Sequence, residues 1–156
     1  MALRIVAIIQ ARMGSTRLPG KVLLPILNQT VIEHIVARLA AVKQIDQVVV
    51  ATSTERQDDE IADMCSRKSI KCFRGSESDV LDRFYRAAVS TQAEIVIRIT
   101  GDCPLIDPEV IGKLIDYFKV NEYDHCGVAA GAGVAKEDKI NRFPDGLDAE
   151  IFTVAV

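Results

Sequence analysis

From Ile5 to Ile9 the chain is apolar without interruption or alternation, the pattern of a parallel strand buried on both faces, and it predicts a central strand. From Thr30 the period lengthens. Ile32, Ile35, Val36 and Leu39 share one helical face, and Thr30 stands three residues before Glu33 in a capping-box spacing, so a helix is expected to start there. Val48 to Thr52 reads as a second buried strand, and Thr54 followed by Gln57 is a weaker capping signal for a helix to about Arg67. Lys71 to Arg74 predicts a short strand broken by Gly75, and Leu81, Phe84, Tyr85, Ala88 and Val89 mark another amphipathic helix. A fourth strand runs from Ile95 to Ile99, interrupted by Arg98, and ends in the turn Thr100-Gly101-Asp102-Cys103-Pro104. Asp107 then caps a helix with Pro108 at its first position and Ile111, Leu114, Ile115 and Phe118 on its apolar face.

Strands alternating with helices of this length imply an α/β fold: a Rossmann-like, doubly wound, mostly parallel sheet with helices on both faces. Gly127 to Ala135 holds only Gly, Ala and Val and reads as a loop or weak strand; Lys136 to Arg142 is polar, and Leu147 to Val156 supplies a last strand. At 156 residues with no internal repeat, the expectation is one domain over residues 1–156.

Composition narrows the function classes. A net charge of −3, from 19 basic and 22 acidic residues, argues against a general nucleic-acid surface, and the absence of Trp removes one means of stacking on single strands. No apolar run reaches the roughly 18–20 residues of a membrane span, and the start shows no signal-peptide cleavage pattern, so a cytoplasmic protein is expected. Cys65, Cys72, Cys103 and Cys126 form no CxxC pair, which points to reduced thiols rather than a zinc site or a disulfide framework.

The stretch from Gln10 to Lys21 follows the first strand directly, where ligands bind in open α/β sheets. Gly14 and Gly20 allow close backbone approach, Ser15 and Thr16 offer hydroxyls, and Arg12, Arg17 and Lys21 bring cations together, a composition suited to a triphosphate. It is not a Walker A loop, because Val22 stands where Ser or Thr is required. A basic, solvated βα turn is the plainer reading. Such turns usually take roughly 2–6 residues, whereas this segment is much longer and has no apolar stripe.

IIQARMGSTRLPGKVL resembles the amino-terminal signature of the cytidylyltransferases that include the acylneuraminate and 3-deoxy-manno-octulosonate enzymes. It is closest to the spore coat polysaccharide biosynthesis branch, protein F type, and the likeness continues through FRGSESDVLDRFYRAA, VIRITGDCPLIDPEVI and FPDGLDAEIF. The resemblance implies a nucleotide-diphospho-sugar transferase fold and transfer of CMP from CTP to an acidic sugar with release of pyrophosphate. It implies that Ala11, Arg12, Gly14, Ser15 and Lys21 hold the nucleotide, with Arg17 as a helper and with Arg12 and Lys21 neutralising charge as pyrophosphate leaves. It further implies that Arg74, Gly75 and Ser76 form part of the pyrimidine pocket and that Asp102 ligates Mg²⁺. Read from the residues alone, Gly75-Ser76 is a turn, and Asp102 is a turn aspartate beside Gly101 and Pro104.

Asp145 and Asp148, in PDGLD, are placed by the same resemblance towards the sugar, while Asp145-Gly146 also reads as an ordinary turn. His34 is expected at a surface or boundary, and His125 carries no assignment. Chains of the family continue for many tens of residues beyond the point matching Val156, carrying a second metal-binding aspartate and much of a homodimer contact, so a chain shortened at its carboxy terminus is expected. A nucleotidyltransferase for UTP or GTP, and a nucleotide-binding domain without turnover, stand as alternatives.

Overall fold

The computed structural model describes residues 3–121, 123–128, 143–144 and 146–154. The apolar run after Arg4 forms β1 (Ile5–Gln10), with Val6 to Ile9 fully out of solvent. It pairs in parallel with β4 (Gln47–Ser53) on one side and β6 (Ile95–Thr100) on the other, and β5 (Lys71–Gly75) extends the sheet beyond β4. The chain then returns antiparallel: β8 (Ala149–Thr153) pairs with β6, and β7 (His125–Gly127) with β8. The order is β5-β4-β1-β6-β8-β7, mostly parallel as the unbroken apolar runs require. A small hairpin of β2 (Pro25–Ile26) and β3 (Gln29–Thr30) stands apart and leads into the first helix.

That helix, α1 (Val31–Ala40), carries the expected capping box: Thr30 Oγ1 accepts from the Glu33 amide, and the Glu33 carboxylate accepts from the Thr30 amide at 2.8 Å. The Lys68 ammonium, 2.8 Å from Glu33, and these bonds hold the Glu33 carboxyl at about 2, down from 4.5. Together with α2 (Asp59–Arg67) and α4 (Pro108–Asn121), α1 buries Ile32, Ile35, Leu39, Ile61, Met64, Ile111 and Ile115 against one face of the sheet. Asp107 caps α4 as expected, accepting from the Glu109 amide at 2.7 Å. On the other face, α3 (Val80–Ser90) packs Phe84, Ala87 and Ala88 over Val6, Ile8, Val49 and Val96.

Two local expectations change. Thr54 does not cap a helix; its amide goes to the Gly75 carbonyl at 2.9 Å, and α2 starts only at Asp59 after a single 3₁₀ turn over Arg56–Asp58. The reason is Asp58, fully buried, whose carboxylate turns back onto Ser53 and Met13 instead of forward onto its own helix. In α3 the helix is where the pattern put it, but its buried face is rotated. Leu81, Tyr85 and Val89 are exposed at 81%, 48% and 54%, while Arg83 is buried at 1%. Gly127 ends β7, and Val128 is paired to Ala149 at 2.8 Å; residues 129–142 of the glycine-alanine-valine and polar stretches lie outside the described residues.

Candidate functional site

In this strand order the chain runs outward from β1 through β4 to β5 and then crosses back to β6 on the other side of β1. The carboxyl ends of β1 and β6 therefore flank the switch point, the usual ligand crevice of such sheets. A cavity of about 310 Å³ opens there, lined by Arg12, Ser15, Thr16, Arg17 and Lys21 from the loop after β1 and by Thr100, Gly101 and Asp102 from the end of β6.

Backbone hydrogen bonds give the long loop its shape. The Met13 carbonyl accepts from both the Ser15 amide at 2.8 Å and the Gly20 amide at 2.9 Å, folding residues 13–20 into a closed arch. The loop then ends in one 3₁₀ turn at Lys21–Leu23, which buries Val22. Met13 is fixed from below, because its amide donates to the Asp58 carboxylate at 2.7 Å. The opposite wall is held as tightly. The Gly101 amide donates to the Gln10 carbonyl at 2.8 Å, and a Cβ at position 101 would lie 2.6 Å from that same oxygen, so only glycine permits this approach.

Ion pairing separates the cations. Lys21 Nζ and Asp102 Oδ2 meet in a hydrogen-bonded ion pair at the mouth of the cavity, with side chains 28% and 44% exposed. That contact is the main reason the Asp102 carboxyl lies below its usual range. Neither Arg12 nor Arg17 hydrogen-bonds or ion-pairs with any protein group among the described residues, and both are exposed. The cavity thus offers an anion two unengaged guanidiniums, two hydroxyls and an exchangeable ammonium.

The remaining expected residues lie elsewhere. Ala11 is buried beneath the cavity, its amide bound to the Ala51 carbonyl at 3.1 Å, and Gly14 lies against the Gln57 side chain. Arg74 and Gly75 end β5 at the same edge of the sheet and Ser76 follows, but none of the three lines this cavity. The Arg74 guanidinium is engaged by the Ser53 carbonyl at 2.9 Å, the Glu55 carbonyl at 3.0 Å and the Asp59 carboxylate at 2.7 Å. Asp148 lies in a smaller cavity of about 120 Å³ that shares Arg98 and Thr100 with the first. Asp145 lies outside the described residues.

Three participants carried no assignment from the sequence. Arg98 pairs with Glu150, lies 5.8 Å from the Phe84 ring centre and lines both cavities. Gln10 lines the cavity between β1 and β6 with its buried Oε1 unpartnered among the described residues, and Asp58 supports the loop from the interior. A polar residue in an otherwise apolar strand, Gln10 at the end of β1 and Arg98 within β6, is the available signal for two of them; Asp58 has none. His34, expected at a boundary, bonds the Ile26 carbonyl at 2.9 Å.

Comparison with known proteins agrees with the fold. The family model described as cytidylyltransferase matches residues 6–145. The spore coat polysaccharide biosynthesis protein SpsF of Bacillus subtilis is 43% identical over 115 residues, covering 71% of this chain and 48% of that one. A 3-deoxy-manno-octulosonate cytidylyltransferase of Maricaulis maris is 39% identical over 120 residues, covering 75% of this chain and 45% of that one. A solved cytidylyltransferase structure from Leptospira borgpetersenii superposes with a TM-score of 0.82 at 34% identity, over 97% of this chain and 60% of that one. The chain spans about half the length of the curated relatives it matches.

Proposed function

The chain belongs to the cytidylyltransferase family, and from that premise we propose that its cavity holds the triphosphate of CTP while CMP is transferred to an acidic sugar. The observation that carries the reading is the convergence of Arg12, Ser15, Arg17, Lys21 and Asp102 on one cavity at the switch point. A sugar hydroxyl oxygen attacks the α-phosphorus, the bond to the β-phosphate breaks, and pyrophosphate leaves. The residues act by position and charge, since no covalent intermediate is needed. Arg12 and Lys21 offset the charge gathering on the departing phosphates, and Ser15 donates a hydrogen bond to a phosphate oxygen.

The donor set fits Mg²⁺ as an ion shared with the nucleotide. Among the described residues no group of three or more His, Cys, Asp or Glu side chains could hold a metal by itself. Mg²⁺ takes one or two carboxylates together with substrate phosphates and water, so Asp102 alone is an adequate protein ligand beside a triphosphate. The bound ion would supply further charge stabilisation on the phosphate oxygens. An acceptor in the smaller cavity, near Asp148, would lie beside those phosphates across Arg98 and Thr100. The sugar class is taken from the relatives, one named for 3-deoxy-manno-octulosonate and one for spore coat polysaccharide.

Melting temperatures with CTP, UTP, GTP and ATP, each with and without Mg²⁺, test the proposal. CTP should give the largest rise, with about 2.7 kcal/mol of stabilisation at roughly 100 times its dissociation constant. In Asp102→Asn the free protein should melt as the wild type does, because the Lys21 pair is exposed and surface pairs contribute little. The further rise that Mg²⁺ gives the CTP complex should vanish. Equal shifts with all four nucleotides would remove the base assignment, and an intact Mg²⁺ increment would remove Asp102 from the metal site.

A further inference from the structure

Among the described residues two charged side chains are buried and take no direct part in the proposed reaction, Asp58 and Arg83; Asp58 is accounted for by the Met13 and Ser53 amides it accepts from, and Arg83 is not. Arg83, in the first turn of α3, is 1% exposed, and its Nη1 donates to the Ser76 carbonyl. Its Nε and Nη2 are buried with no hydrogen-bond partner among the described residues. A buried cation with two unmet donors is costly, and an apolar side chain of similar volume at such a place is commonly neutral or stabilising. Stability is therefore a poor reason for an arginine here.

Its surroundings supply a better one. Arg83 runs directly beneath Gly75: a Cβ at position 75 would lie 3.0 Å from Arg83 Cγ. The Ser76 hydroxyl is also committed, accepting from the Asp79 amide at 3.0 Å, so both oxygens of Ser76 hold the turn together. The amides of Glu77 and Ser78, by contrast, donate to no protein acceptor among the described residues. Two donors without acceptors match the N3 and O2 acceptor edge of cytosine and mismatch uracil, which carries a proton on N3. The turn ends β5, two strands from β1, and at the usual strand spacing that is about 10 Å, the reach of a nucleoside.

Arg83 also feels the phosphate side. Burial is the main cause that lowers its affinity for the proton, Asp58 opposes the change, and Arg12 in the cavity adds to it. Asp58 in turn holds the Met13 amide of the phosphate loop and the Ser53 amide at the end of β4.

We infer that Arg83 is a positioning residue for base recognition: by drawing the Ser76 carbonyl inward it fixes the Ser76–Asp79 turn with its amides left for a cytosine edge. This rests on the CTP reading above. The test compares CTP, UTP and inorganic tripolyphosphate binding by calorimetry in wild type, Arg83→Met and Arg83→Lys. Arg83→Met should melt at or above the wild-type temperature, bind tripolyphosphate unchanged and lose about tenfold or more in CTP affinity, with the CTP to UTP ratio falling towards one. Arg83→Lys keeps the charge without the planar fork; it should recover part of the CTP affinity and serves as the reading if Arg83→Met does not fold. Unchanged CTP to UTP ratios in both variants overturn the inference, as does a parallel loss of tripolyphosphate binding, which would mark Arg83 as a general structural residue. A wild type that binds CTP no better than UTP overturns the base reading itself, and this inference with it.

Discussion

Two stretches at the same edge of the sheet use arginine in opposite ways. In the loop after β1, Arg12 and Arg17 stand in solvent with no protein partner among the described residues, and Lys21 has one exposed carboxylate. Two strands away, Arg74 is held by two carbonyls and a carboxylate, and Arg83 is buried under a third carbonyl. The first set is available to a ligand, whereas the second builds the frame that the ligand meets. Charge near a site is therefore a poor guide to contact with substrate. The number of protein acceptors each cation already has is the more informative quantity.

The largest effect expected from this contrast is at Asp58, which belongs entirely to the frame. Asp58→Ala removes a buried acceptor of the Met13 and Ser53 amides, and should lower stability by about 3 kcal/mol in urea unfolding. A loss below about 1 kcal/mol would show that the phosphate loop supports itself. Next come the ligand-facing cations. Lys21→Ala should cost about 1.5–3 kcal/mol in CTP affinity, more than Arg17→Ala, with folding intact. Arg74→Ala should do the reverse, lowering the melting temperature while tripolyphosphate binding stays as it was. Equal effects on binding from Lys21→Ala and Arg74→Ala would erase the distinction between the two stretches.

The smallest effect concerns a carboxylate of the frame. Glu33 has a folded value of about 2 against an ordinary 4.5, so its contribution is full above 4.5 and is lost as pH falls from there through about 2. Glu33→Gln should therefore be less stable than wild type at pH 7, by about 1 kcal/mol or less since Lys68 is largely exposed. The difference in melting temperature should close as the pH approaches 2. A gap that persists undiminished at pH 2 would assign the loss to helix packing and not to the charge.

The sequence carried the fold because its signals were local and redundant. β1 and β4 are buried on both faces and read as unbroken apolar runs, β6 reads as one broken only by Arg98, and α1 and α4 announce themselves by caps that the structure forms. The gathering of the loop cations with Asp102 was also legible, since both follow strands at the same edge. Other features depended on distant partners. Thr54 and Gln57 had the spacing of a cap but were taken by Gly75 and Glu77 across the sheet, and nothing local to Asp58 showed that it would face Met13. The exposed face of α3 departs from the sequence pattern for a similar reason. Leu81, Tyr85 and Val89 satisfy the helical period as well as Phe84 and Ala88 do, and the rotation is set by contacts distant in sequence: Phe84, Ala87 and Ala88 on the sheet, with Arg83 beneath Gly75.

The contact between Gly101 and the Gln10 carbonyl sets a fixed gauge for the site. One wall of the cavity is joined to the other by main chain, so the gap between them is not adjustable by side-chain replacement, and any Cβ at position 101 would wedge it wider. Variation in what this scaffold accepts must accordingly enter through the arch of residues 13–20 or from beyond the ends of β5 and β8, where side chains rather than backbone define the boundary. For anyone redesigning the pocket, position 101 is the one to leave alone.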